Sequence, residues 1–234
     1  MYTLTMKYEE ILREFSKDEA DLRALSRTMF EGKLCKDARK GKVKYPCHIF
    51  AKRTTERHNT YIIHYEFRSK EDFLGGPTFF ALINSGRGIF VMQISMAYGL
   101  KKVVNLYSPH LFKRYQERMG LSITGIDLIK EFFKRNVTSH RNSDFKRKDG
   151  DENDVMDLCY DGAIYGQSTP EGHITYHTFI DKDHMSDYRK ALNEEYNDLI
   201  EEARLFSSFY GGLPAMLSLP ILKERENKTN TTSI

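Results

Sequence analysis

Apolar residues at Ile11, Leu12, Phe15, Leu22, Leu25, Met29 and Phe30 recur three and four positions apart. That spacing is the signature of one buried helical face, so it predicts one or two amphipathic helices over residues 6–30, with a break near residues 16–18, where the pattern turns polar. The run "CKDARKGKVKYP" that follows is basic and carries Gly41 and Pro46, which predicts a loop or hairpin arm. From His48 the period changes. "HIFAKRTTERHNTYIIHYEFRS" sets two β-rich runs around a polar turn, and "TFFALINSGRGIFVMQISM" repeats the arrangement around "NSGRG", so two antiparallel hairpins are expected.

"KKVVNLYS" reads as a fifth strand that leads into "SPHLFKRYQERMG". Ser108 is suited to cap a helix there, Pro109 to open it without losing an amide, and Gly120 to end it. A second helix, "GIDLIKEFFKRN", presents Ile126, Ile129, Phe132 and Phe133 on one side. Residues 138–154 are polar without a period and predict a surface loop. Two strands, "VMDLCYDGAIYGQ" and "GHITYHTFID", are expected around a turn at "STPEG", followed by an acidic helix over residues 186–209. The fold class is therefore α+β: a mainly antiparallel sheet with N-terminal helices, a central helix pair and a long C-terminal helix. The expected organisation is residues 1–46 as helices and basic loop, 47–210 as the core domain, and 211–234 as an apolar segment with a disordered polar tail.

Composition narrows the function classes. With 234 residues, 40% hydrophobic and 12% aromatic, the chain has enough apolar side chain to bury a core. The longest apolar-rich stretch, residues 89–100, is broken by Gln93, Ser95 and Gly99, and a bilayer span needs about 18 apolar residues or more, so no membrane is expected. Acidic residues stand where an export signal would have its apolar region, and Cys35, Cys47 and Cys159 have no paired spacing, which together predict a cytoplasmic protein with reduced thiols. The net charge of +3 hides an asymmetry. Residues 101–150 hold 12 Lys and Arg against 5 Asp and Glu, whereas residues 151–204 hold 4 against 14. A basic centre suits RNA or another polyanion, and a protein partner remains open.

The chemistry concentrates on the helix after Ser108. His110, Arg114 and Arg118, four residues apart, form one ridge, beside a second ridge of Leu111, Tyr115 and Met119 that faces the core. An imidazole moves protons near neutral pH, and guanidinium forks hold phosphate oxygens, so the ridge suits phosphate chemistry. A solvated helix face with Glu117 among its basic residues is the plainer explanation of the same pattern.

The order of strand, "SPHLFKRYQERMG", second helix and then strands ending in "ITYHTFID" resembles the metal-independent ribonuclease superfamily of barnase, EndoU, the colicin nucleases and RelE-type toxins, above all its phage and toxin branches. The resemblance covers residues 101–184. It implies a helix site of His110, Arg114 and Arg118 with His177 or Thr178 as partner on the last strand, acting on RNA without metal or cofactor. Strict alternation would put His173, Thr175, His177 and Phe179 on one strand face and Ile174, Tyr176, Thr178 and Ile180 on the other. Lys113, Arg141, Lys146, Arg147 and Lys148 are the residues expected to contact a nucleic-acid backbone. Two rival functions stay open. One is a non-catalytic nucleic-acid-binding or protein-binding protein of phage or mobile-element type, and the other is a metal-dependent hydrolase built on His173 and His177, with His184 and Cys159 or Asp181 as further ligand types.

Overall fold

The computed structural model describes residues 1–70, 76–97, 101–136, 139–141 and 153–210. Two helices open the chain, α1 (Tyr8–Phe30) and α2 (Lys33–Arg39), and five strands follow in order: β1 (Cys47–Thr54), β2 (Thr60–Phe67), β3 (Thr78–Ser85), β4 (Gly88–Ala97) and β5 (Lys101–Tyr107). Then come α3 (Pro109–Arg118), α4 (Gly125–Arg135), β6 (Ser139–Arg141), β7 (Asp154–Cys159), β8 (Gly162–Ser168), β9 (Ile174–Asp181), a 3-10 turn (Lys182–His184) and α5 (Asp187–Tyr210). All nine strands join one sheet in the order β1-β2-β3-β4-β5-β9-β8-β7-β6. Every neighbouring pair is antiparallel except β5 and β9, which run parallel through Asn105, Leu106 and Tyr107.

Helices cover both faces. On one face Leu111, Phe112 and Tyr115 of α3, with Leu128, Ile129, Phe132 and Phe133 of α4, pack on Ile62, Phe80, Val91, Tyr107, Tyr176 and Phe179. On the other face α1 and α2 cover the β1–β5 half, through Ile11, Leu22, Cys35 and Ala38, while Leu192 and Tyr196 of α5 pack on Met156, Leu158 and Ala163 of the other half. Burial of these apolar faces, at roughly 25 cal/mol per Å², is what holds a sheet between two helix layers. No helix among the described residues is long and apolar enough to cross a membrane.

Four local expectations are corrected. First, α1 runs without a break at residues 16–18, because Asp18 is fully buried. Its carboxylate accepts from Thr55, Asn59 and Tyr61, so the polar interruption is an internal anchor for the β1–β2 turn. Second, the first five of the twelve residues of the "CKDARKGKVKYP" run are helical, since Cys35 and Ala38 bury one side of α2. Third, "VMDLCYDGAIYGQ" is two strands, with Tyr160 and Asp161 turning the chain between β7 and β8. Fourth, the polar stretch after residue 138 begins with the short strand β6.

Candidate functional site

Helix α3 is built as its sequence suggests. Ser108 has extended backbone and its hydroxyl accepts from the amide of Leu111 at 3.3 Å, Pro109 occupies the first turn, and Gly120 takes a positive φ of 62° just past the end. Ser108 also ties the helix to β9. Its amide donates to the carbonyl of Tyr176 at 3.0 Å and its hydroxyl donates to the carbonyl of His177 at 3.2 Å. The first turn of α3, which carries His110, is thereby fixed against the middle of β9, which carries His177. Both histidines are exposed.

His177 occupies an irregular position in the sheet. Tyr165 of β8 pairs with Thr178 and the next residue, Gly166, pairs with Tyr176, so His177 is an extra residue, a β-bulge, with no partner on β8. The bulge makes room only because residue 166 is glycine: a Cβ there would lie 2.2 Å from the Thr175 carbonyl oxygen and 2.8 Å from Tyr176 Cα. It also corrects the expected alternation. Ile174, Tyr176 and Phe179 share the face beneath α3, whereas Ile180 packs beneath α5 and Thr178 shares its side. Thr178 is therefore turned from α3, and alternation no longer sets the side of His177.

The basic ridge divides along the helix. Lys113 and Arg114 are exposed, and both pair with Glu117, Arg114 at 3.0 Å and Lys113 at 3.9 Å. Such exposed pairs contribute about 1 kcal/mol or less, so these cations remain available to a phosphate. Arg118, roughly 12 Å farther along the axis than His110, is engaged differently. It donates to Asp181 at 3.0 Å, and the same carboxylate oxygen meets His184 Nδ1 at 2.7 Å.

That far end of α3 belongs to a larger polar assembly. Asp161, in the β7–β8 turn, accepts from Tyr115 at 2.8 Å, from Arg135 Nε at 2.8 Å and from Asn136 at 3.0 Å. Burial alone would raise its carboxyl pKa, but the Arg135 guanidinium and the Tyr115 hydroxyl outweigh burial and hold it below the ordinary 3.8. The same burial and the neighbouring Asp161 carboxylate push the Tyr115 phenol up. These bonds join α3, α4 and the β7–β8 turn.

The remaining expected residues fall apart in space. His173 is buried, stacked on Tyr8 with ring centroids 4.4 Å apart, and its Nδ1 accepts from the amide of Val104 at 3.1 Å. Burial, then the positive field of Lys101, lowers its pKa, which favours the neutral ring. It shares no site with exposed His177, and Cys159 is sealed in the core. Among the described residues no group of three or more His, Cys, Asp or Glu is placed to hold a metal ion. The backbone of Arg141 lies in β6 opposite Asp157, but its side chain, like Lys146, Arg147 and Lys148, lies outside the described residues.

Two arrangements were invisible to residue spacing. Asp161 reads in sequence as an ordinary turn residue, and only its three donors from distant helices mark it. His64 reads as one polar residue in a β-run, yet it is 1% exposed between Phe50 and Phe80, with Nε2 3.1 Å from Nδ1 of His48. Burial and the neighbouring His48 push its pKa down to about 4. Alternating polarity on a strand would have been the available hint, since His48 and His64 both occupy positions flanked by apolar residues. Set against family models, curated proteins and solved structures, the chain matches none.

Proposed function

We propose that this protein acts on RNA as a metal-independent ribonuclease, at the junction of α3 and β9. The observation that supports the reading is Ser108, whose two bonds to the carbonyls of Tyr176 and His177 hold the first turn of α3, with exposed His110, against the strand bulge that carries exposed His177. Two imidazoles near one phosphate are sufficient for acid/base cleavage. One takes the proton of the ribose 2′-hydroxyl as its oxygen bonds to phosphorus. The other gives a proton to the 5′-oxygen as its bond to phosphorus breaks, leaving a 2′,3′-cyclic phosphate. Arg114 and Lys113, one helical turn along from His110, balance the charge that grows on the phosphate oxygens.

In this reading Arg118 is not a phosphate ligand. Its bond to Asp181 holds the end of β9 on the end of α3, so it positions the strand that carries His177. Thr178 drops out as partner because it shares the side of Ile180.

The test is cleavage of end-labelled RNA in the presence of chelator. Wild-type protein is expected to produce cyclic-phosphate ends, and His110→Ala or His177→Ala is expected to slow cleavage by roughly 100-fold or more with RNA binding nearly unchanged. Binding without cleavage by the wild type, insensitive to both histidines, would instead favour the non-catalytic binding function. Cleavage that stops with chelator would favour a metal-dependent one.

A further inference from the structure

The most concentrated unbalanced charge in the described part of the protein lies far from α3. Residues 33–44 hold five lysines and one arginine against a single acidic residue, Asp37. α2 and the turn after it form a defined surface, not a loose arm. Cys35 and Ala38 are fully buried against Ile49, Ile63 and Tyr65. Arg39 lies 4.2 Å over the Phe30 ring and donates to the Phe30 carbonyl at 3.1 Å, and the Tyr45 hydroxyl donates to the carbonyl of Ala38. After the helix, Gly41 at φ 70° turns the chain so that Lys42 can donate its amide to Asp37 at 2.9 Å.

The lysines face the other way. Lys33, Lys36, Lys40, Lys42 and Lys44 are all exposed, and none forms an ion pair among the described residues. Lys33 and Lys36 on the helix and Lys40 at its C-cap fall three and four residues apart, so they share one side. Holding five like charges together on a fixed scaffold costs self-repulsion. A polyanion removes that cost.

We infer that this lysine surface is a second binding site, which takes the phosphate backbone of RNA independently of the α3–β9 junction. Three physical arguments select that partner. Lysine is depleted from protein–protein interfaces, whose centres use aromatic anchors that are absent here. Membrane attachment through a basic patch needs a second, apolar signal, and the surface offers only the exposed Leu34. A row of point charges without base-reading side chains, by contrast, is what backbone-positioning contacts require. α2 lies on the sheet face opposite α3, so the same strand could not lie flat across both sites. The surface therefore anchors a structured RNA, or a segment distant from the one at His110. The choice of RNA as the polyanion rests on the proposed function, but the site itself does not.

The experiment uses full-length protein carrying His110→Ala, so that binding is read without cleavage, and follows the anisotropy of end-labelled RNA between roughly 50 and 200 mM salt. Changing Lys33, Lys36, Lys40, Lys42 and Lys44 together to Gln is expected to weaken binding by at least about tenfold. It should also flatten the slope of log affinity against log salt by up to about 3.5, from a contribution of about 0.7 for each lost phosphate contact. Unchanged affinity and slope in the quintuple variant, with an unchanged thermal melt, would overturn the inference even if cleavage at His110 is confirmed. Polyglutamate or anionic vesicles bound more tightly than RNA would overturn it in favour of an acidic protein or a membrane surface.

Discussion

The two ends of α3 are assembled on opposite principles. At its start the helix is tied to β9 by Ser108 through backbone carbonyls alone, and the nearby side chains, His110 and His177, are left facing solvent. At its end the side chains do the tying: Tyr115 donates to Asp161 and Arg118 to Asp181. Chemistry needs the first arrangement, because a histidine spent on structure has no proton to move. Stability favours the second, because each buried carboxylate is matched by several donors. A single ridge of basic residues thus contains both, and position along the helix decides which residue does which.

The largest break in this contrast is expected from Asp161→Ala. It strands the buried Tyr115 hydroxyl and Asn136 amide, at about 1–3 kcal/mol for each unsatisfied group, and frees the half-exposed Arg135, to be read as a shift in the urea midpoint. Gly166→Ala should cost less, about 1–3 kcal/mol for forced overpacking, but it attacks the open end. The added Cβ cannot coexist with the bulge, so cleavage should fall by more than the stability loss explains. Wild-type cleavage in a folded Gly166→Ala protein would show that the bulge does not position His177.

A finer separation comes from comparing two arginines. Arg118→Gln should lower stability by about 1–2 kcal/mol and leave cleavage within several-fold of wild type. Arg114→Gln should leave the melt within about 0.5 kcal/mol and slow cleavage instead. The reverse pattern would mean that Arg118 reaches the phosphate.

At neutral pH the smallest effect is the one acid reveals. Asp161 is held below 3.8 and Glu14, under the Arg57 guanidinium, is held down to about 2. A carboxyl depressed in the folded state contributes stability that is present above its ordinary pKa and lost as pH falls through its folded value. Acid titration from about pH 4.5 toward 2 should therefore loosen the Asp161 and Glu14 assemblies, and the loss should be shallower in Asp161→Asn. Equal slopes would show that the Asp161 carboxyl is not depressed.

How much of this was legible in sequence follows from how local each feature is. The cap at Ser108, Pro109 in the first turn and the stop at Gly120 involve neighbours in the chain, and the structure reproduces them. The two early hairpins were readable for the same reason. The bulge at His177 was not, since it depends on which β8 residue lies opposite, and a one-residue slip reverses every face beyond it. Asp18 reads in sequence as part of a helix break because its donors sit some forty residues later. Arg118 reads in sequence as part of the phosphate-holding ridge because nothing near it announces Asp181. The ridge itself was visible, but its division was a tertiary fact.

The single parallel seam, β5 against β9, also sets an order of events during synthesis. The first five strands can pair as they emerge, but the far edge of β5 has no partner until the chain has grown from Tyr107 to Ile174 and beyond. At roughly 5–20 residues per second that interval is about 3–13 s. For those seconds a nascent chain exposes a strand edge able to pair with another chain. The strand that finally closes it is also the one that brings His177 to α3, so the proposed ribonuclease cannot be assembled until the edge is sealed.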